Sequence, residues 1–329
     1  MNMKKKLPIF MMFGLIISLL GSGISYINLR KTAFANESFP KGVKAQEETA
    51  QARIKRFKKG DKFVIALIPE RNVFEQRRRY KHITAYLSQK LNLDVRAEIL
   101  SSYGEICDAF LEGKADAGFF GSFSYVLTRA KAGIEPIARP VWPNGSSTYS
   151  GYIFVRKDSG IKTVEDMKGM SLVLVHKATT AGYIFQLAYF KKFGINNIEK
   201  YFSKIYFAGS HDTSAWAVYT GEADVGGGKN HIFNALSREN PDFKEQMLIL
   251  ATSPEVPSNG LAVSKYLDPV FTNRLEDLLL NLDKTGEGRL VLERFGAVKF
   301  IETEDEDYSS LHQMIEGLGI DLDTYPYKD

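Results

Sequence analysis

The residues best equipped for chemistry lie in Val173-Leu174-Val175-His176-Lys177-Ala178-Thr179-Thr180-Ala181-Gly182-Tyr183, an apolar run that turns through a short polar stretch into a helical pattern. A helix start presents backbone N–H groups with no intrahelical partner and the positive end of the helix dipole, so it suits a tetrahedral oxyanion. Thr179 and Thr180 can add hydroxyl donors, and the small Ala181 and Gly182 let the backbone come close to a ligand, with Tyr183 next to them. Either threonine can equally be an N-cap and no more. A second helix opens at His211-Asp212, after an apolar run ending at Ala208. Asp212 has the chemistry of an N-cap, whereas His211 is either structural or a donor to an anion oxygen, and an anion beside it would raise the imidazole pKa.

On the other side of such a site, Ser124 and Tyr125 follow the apolar run Ala115–Phe120 and can supply two more hydroxyls at a helix start. Tyr125 also reads as a core tyrosine with a satisfied hydroxyl. Asn72 and Phe74 occupy the equivalent position after the first apolar run, and Tyr149 lies near a candidate crossing between lobes. Catalytic constellations are missing: there is no GxSxG, HExxH or P-loop. The five histidines, 82, 176, 211, 231 and 312, fall at no ligand spacing, and Cys107 is the one cysteine. We therefore expect a binding protein rather than an enzyme, with no cofactor, no metal and no disulfide.

These residues must be positioned by a chain of 329 residues, 44% hydrophobic and 25% charged, which is ordinary for soluble globular protein and long enough for about two domains. Twelve Lys and Arg stand against three acids in residues 1–60, whereas 61–329 hold 31 basic and 36 acidic residues. The basic balance thus belongs to the N-terminal extension, and the body offers no electrostatic footprint for nucleic acid. Lys4, Lys5 and Lys6 precede an apolar run from Leu7 to about Leu29, followed by Arg30, Lys31 and the small-x-small triplet Ala33-Phe34-Ala35. Residues 1–35 are either a cleaved export signal or a retained membrane anchor, and both place the body in the periplasm or on the outer face of the cytoplasmic membrane. Cys107 is too far along to carry a lipid at a processed N-terminus. Residues 36–60 read as a solvated linker.

From Asp61 on, apolar strand-like runs alternate with amphipathic stretches. Phe63–Ile68, Val95–Leu100 and Ala115–Phe120 read as strands, with helices at Val73–Leu91 and Tyr103–Leu111 between them. The order recurs over Tyr152–Gly226, which has strands at Tyr152–Val155, Ser171–Val175, Ile205–Ala208 and Ala223–Gly226 and helices at Val164–Lys168, Gly182–Phe193 and Thr213–Tyr219. Gly113-Lys114-Ala115-Asp116-Ala117-Gly118 returns as Gly221-Glu222-Ala223-Asp224-Val225-Gly226, which assigns Asp116 and Asp224 to equivalent structural turns. After strands at Met247–Thr252 and Gly260–Ser264, helices follow at Pro269–Leu282, Gly288–Phe295 and Tyr308–Leu318. The pattern predicts an α/β protein of two lobes, 61–147 plus 258–329 and 148–257, each a mixed, mostly parallel sheet flanked by helices and joined by two hinge crossings.

Four segments in order, Pro69-Glu70-Arg71-Asn72-Val73-Phe74-Glu75-Gln76, Phe120-Gly121-Ser122-Phe123-Ser124-Tyr125-Val126, Thr179-Thr180-Ala181-Gly182-Tyr183, and Gly209-Ser210-His211-Asp212 with Gly221-Glu222-Ala223-Asp224, resemble the phosphate/phosphite/phosphonate-binding proteins of ABC transporters. The resemblance covers about residues 61–300 and implies the two-lobed type II periplasmic-binding fold, a ligand-binding histidine at His211 and a small oxyanion in the cleft. Two departures stand out: Ser122 replaces the usual proline, and Ala181 replaces the third hydroxyl of Ser-Thr-Ser-Gly-Tyr. Relatives selective for aminophosphonates carry acids in the segments matching Lys229-Asn230-His231 and Ser258-Asn259, and this chain has none there. The resemblance thus implies phosphate, phosphite or a simple alkylphosphonate as ligand, and a monomer read by an ABC permease or, alternatively, by a signalling receptor such as a histidine kinase.

Overall fold

The computed structural model describes residues 54–328, and the expected export segment lies outside them. Strands β1 (Lys62–Leu67), β2 (Asp94–Ile99), β3 (Ala117–Phe120), β4 (Ile134–Val141), β12 (Gly260–Ser264) and β13 (Lys299–Glu302) form a sheet in the order β13-β4-β12-β3-β1-β2. A second sheet takes the order β10-β6-β9-β7-β8 from β6 (Gly151–Arg156), β7 (Ser171–Leu174), β8 (Lys204–Phe207), β9 (Val225–Lys229) and β10 (Met247–Thr252). In each, a parallel trio (β3-β1-β2, β9-β7-β8) is flanked by an antiparallel strand, β12 or β6. Strands in the middle of such layers are covered on both faces, which is why Phe63–Leu67 and Leu172–Leu174 are buried continuous apolar runs without alternation. Where the chain passes between the sheets, β5 (Thr148–Tyr149) pairs antiparallel with β11 (Val256–Pro257).

The duplicated hexapeptides occupy equivalent places in the two sheets. Gly113 (φ +67°) and Gly221 (φ +80°) leave their helices in the left-handed region, where a side chain would be strained. The two residues after each glycine donate to one carbonyl, Ala109 or Ala217. Asp116 Oδ2 then accepts the Val64 N–H at 2.9 Å, and Asp224 Oδ2 accepts the Ser171 N–H at 2.8 Å and its hydroxyl at 2.6 Å. Each aspartate thus closes the start of the neighbouring parallel strand, as the repeat predicts.

Helices differ in detail from the periodicity. The Val73–Leu91 helix buries Tyr80, Ile83, Leu87 and Leu91, but Phe74 in its first turn is 74% exposed. Residues 180–184 form a π-turn ahead of the Phe185–Lys192 helix, and the short helix expected at 164–168 is a single 3₁₀ turn, Glu165–Met167. Strands β4 and β13 and the helices Asn230–Glu239 and Pro241–Gln246 were not anticipated. The end of the expected linker is also packed: Phe57 meets Phe63 and Phe271 at ring-centroid distances of 5.3 and 4.8 Å, and Lys55 pairs with Asp116. Phe57 can bury its ring only because those two faces are apolar, so 54–60 belong to the folded body.

One apolar cluster joins the two sheets. Phe123, Tyr125 and Val126 of the helix Ser122–Ala132 pack with Val175, Ala178, Ala181 and Ile184 beside the second sheet, and Leu311 and Ile315 of the helix Ser309–Leu318 complete it. Among the described residues no helix is long and apolar enough to cross a membrane. Because Asp224 satisfies two donors of Ser171, we expect Asp224→Ala to lower unfolding stability by about 1–3 kcal/mol in denaturant melts while leaving ligand affinity within twofold. Equal stability in the variant would contradict the turn role.

Candidate functional site

Site residues gather at the carboxyl ends of the parallel strands, where open α/β sheets place their ligands. Glu70 follows β1, Tyr103 follows β2 and Ser122 follows β3, while His176 to Thr180 follow β7, His211 follows β8 and Lys229 ends β9. Two helix starts meet there: the Phe123 N–H donates to Thr180 Oγ1 at 2.9 Å. That leaves the Thr180 hydroxyl proton available to a ligand. In the π-turn the first helical bond runs from the Ile184 N–H to the Thr179 carbonyl, so the helix itself engages none of the N–H groups of residues 180–183.

His211 begins the helix His211–Tyr219 at 2% exposure. Its Nδ1 accepts the Lys229 backbone N–H at 3.2 Å, which fixes the neutral imidazole as the Nε2–H tautomer, a donor. Burial first, then Lys229 nearby, pushes its pKa down to about 3. Tyr103 lies between two imidazoles, with ring centroids 5.8 Å from His176 and 6.1 Å from His211, and its buried hydroxyl has no hydrogen-bond partner. His176 Nδ1 accepts the Ala178 N–H at 2.9 Å and braces the turn before the π-turn.

Beside His211 sits a buried ion pair. Lys229 Nζ lies 2.6 Å from Glu70 Oε1, 2.6 Å from Asn259 Oδ1 and 4.3 Å from the Tyr149 ring centroid. Burial alone would push the Glu70 carboxyl up, but Lys229, His231 with its Nε2 4.0 Å away, and Arg71 hold it well below the usual carboxylate range. The three N–H groups of an ammonium thus meet two oxygens and an aromatic face. Deleting one partner of such a pair costs about 3–5 kcal/mol, because the other charge stays buried. On the far side of the pair, a cavity of about 1000 Å³ is bordered by Glu70, Arg71, Trp142, His231 and Asn259.

Several sequence candidates are placed elsewhere. Tyr125 donates to Asp305 Oδ1 at 2.8 Å, which satisfies its hydroxyl as the core alternative expects. The Ser124 hydroxyl donates to the Gly121 carbonyl at 2.9 Å, and the Thr179 hydroxyl to the His176 carbonyl at 2.7 Å. Asn72 is spent as an N-cap, accepting the Phe74 N–H at 2.9 Å, and exposed Phe74 lies outside the cluster. Gly182 is small because Val175 crosses it: a Cβ there would stand 2.4 Å from that side chain, so the close approach is internal. Tyr183 packs on Phe207, with centroids 5.9 Å apart. Thr180, Ala181, His211 and Tyr149 remain together, with the Tyr149 hydroxyl 3.2 Å from Ser122 Oγ, whose proton goes to the Pro257 carbonyl at 2.8 Å. Tyr103, Glu70, Lys229 and Asn259 are additions. Lys229 and Asn259 lie in the two segments that the resemblance marks for ligand choice and Glu70 lies in the first of its motifs, but the contact of Glu70 with Lys229, 159 residues away, is not readable from the sequence.

This two-sheet arrangement is that of type II periplasmic-binding proteins. The structure of PhnD1 from Prochlorococcus marinus (MIT 9301) in complex with methylphosphonate matches with a TM-score of 0.68 at 20% identity, over 79% of this chain and 98% of that one. The model of the family described as "ABC transporter, phosphonate, periplasmic substrate-binding protein" matches residues 65–308, and the chain belongs to that family. It is 25% identical over 232 residues to the phosphonates-binding periplasmic protein of Escherichia coli K12, covering 69% of this chain and 68% of that protein. It is 24% identical over 224 residues to the phosphate-import protein PhnD of Mycolicibacterium smegmatis, covering 65% and 70%. The protein is therefore a solute-binding component rather than an enzyme.

The buried His211 makes the ligand-free protein acid-sensitive. The unfolded chain takes up the His211 proton as pH falls below 6.5, whereas the folded chain resists until about 3. The stability from neutral His211 is complete above this window and is lost as pH falls through it. Melting temperatures from pH 7 to pH 4 should drop less steeply in His211→Gln than in the wild type, and parallel curves would contradict the assignment.

Proposed function

We propose that the protein captures a small phosphorus oxyanion, phosphate, phosphite or a simple alkylphosphonate, between its two sheets and presents the closed form to an ABC importer outside the cytoplasm. The observation that carries this reading is the meeting of the two helix starts through Phe123 and Thr180, beside the donors His211 Nε2–H and Tyr103 O–H. An oxyanion there would accept from N–H groups 180–182, the Thr180 hydroxyl, His211 and Tyr103, and it would see two positive helix ends at once. Because donors on both sheets would contact one ligand, binding would favour the closed arrangement over any open one. The β5–β11 ribbon would be the hinge.

Thermal-shift screening with phosphate, phosphite, methylphosphonate and sulfate tests this. A ligand at about 100 times its dissociation constant stabilises by about 2.7 kcal/mol. We expect a shift with a phosphorus oxyanion that is weakened at least tenfold in affinity by Thr180→Ala and by His211→Ala, and unchanged in Tyr125→Phe. No shift with any phosphorus oxyanion would overturn the reading.

A further inference from the structure

The surroundings of Lys229 have a composition that the oxyanion reading does not need. The lysine is 3% exposed, and its ammonium is enclosed by a carboxylate, an amide oxygen and an aromatic face. Those are the groups that recognise a free alkylammonium, and here the chain supplies the ammonium itself. The cage walls come from three separate segments: Glu70 follows β1, Tyr149 is in β5 and Asn259 precedes β12. The lysine backbone N–H also fixes His211, so the ammonium and the donor for the anion belong to one short unit. The cage is also contiguous with the oxyanion seat through Ser122, whose Oγ lies 3.2 Å from the Tyr149 hydroxyl.

We propose that Lys229 is a tethered substitute for a ligand's ammonium: it fills a cation cage of Glu70, Asn259 and Tyr149 at the edge of the oxyanion seat and thereby excludes aminoalkylphosphonates. The inference rests on the oxyanion reading for the seat, but the cage stands on its own geometry. Glu70 explains why the rejection depends on Lys229. The cleft does contain an acid, contributed by a segment remote from Lys229-Asn230-His231 and Ser258-Asn259, and Lys229 neutralises it. Removing the lysine side chain would leave an anionic, aromatic-walled space next to the anion seat, which is the complement of a zwitterion.

Calorimetry with ethylphosphonate and 2-aminoethylphosphonate isolates the amine. Wild type should bind ethylphosphonate at least tenfold tighter than 2-aminoethylphosphonate. Lys229→Ala should gain at least tenfold for 2-aminoethylphosphonate with no gain for ethylphosphonate, and Lys229→Ala with Glu70→Gln should lose that gain. A wild type that prefers 2-aminoethylphosphonate, or a folded Lys229→Ala with no gain, would overturn the proposal, the first needing no variant. Ethylammonium chloride gives a readout free of phosphorus. It should raise the melting temperature of Lys229→Ala but not of the wild type or the double variant, sodium chloride being the control. That rescue without binding of either phosphonate would support the cage and sink the oxyanion reading, whereas phosphonate binding without rescue would sink the cage.

Discussion

Two helices that start at the same place with their N-terminal ends together create an electrostatic demand that much of this structure answers. Each end carries roughly half a positive charge and a set of unspent N–H groups, so bringing two together costs energy unless something accepting or anionic stands between them. In the described arrangement the Thr180 hydroxyl oxygen accepts the Phe123 N–H, and the pair is walled off from water by the apolar cluster of Phe123, Val126, Val175, Ala178 and Ile184. An oxyanion meets the same demand more fully, since it offers several acceptor positions and a full negative charge.

The duplicated sheet is what brings the helix starts to one place. In both halves an aspartate ties down the start of the central parallel strand, Asp116 at Val64 and Asp224 at Ser171. Loops leaving those strands then converge. The Gly226-Gly227-Gly228 run of β9 lets neighbours cross closely: a Cβ at Gly227 would lie 2.3 Å from Gln186 and one at Gly226 would lie 2.6 Å from Phe154. Lys229 follows that run directly and crosses to Glu70, so the cleft is tied by a charge pair as well as by apolar packing. The pair keeps the net charge of the seat's edge at zero, which leaves the helix ends and His211 to set its preference for anions.

Much of this was legible in the sequence wherever local pattern decides the outcome. The continuous apolar runs at β1, β7 and β10, the Val73–Leu91 helix and the hexapeptide repeat all appear as read. Strand β4 escaped because Pro136 and Pro140 deplete its donors; it survives in the sheet with a register shift opposite Leu261 and Ala262. Thr180 and His211 were readable because a helix start is a local feature. Tyr125 read either as a donor or as a core tyrosine, and only the fold decides which way its hydroxyl turns, here to Asp305. The closing of Glu70 and Asn259 on Lys229, and the placing of Tyr103 between two imidazoles, were not legible, since they arise only from contacts across the fold.

The most direct test of the account is a titration of ¹⁵N-labelled protein with phosphite, followed through the backbone amides. A ligand seated between the helix ends should move the amide proton resonances of Thr180, Ala181, Gly182 and Phe123 together, downfield where an oxygen accepts, with one shared saturation curve. Saturable binding that leaves all four unmoved and shifts amides elsewhere would contradict it.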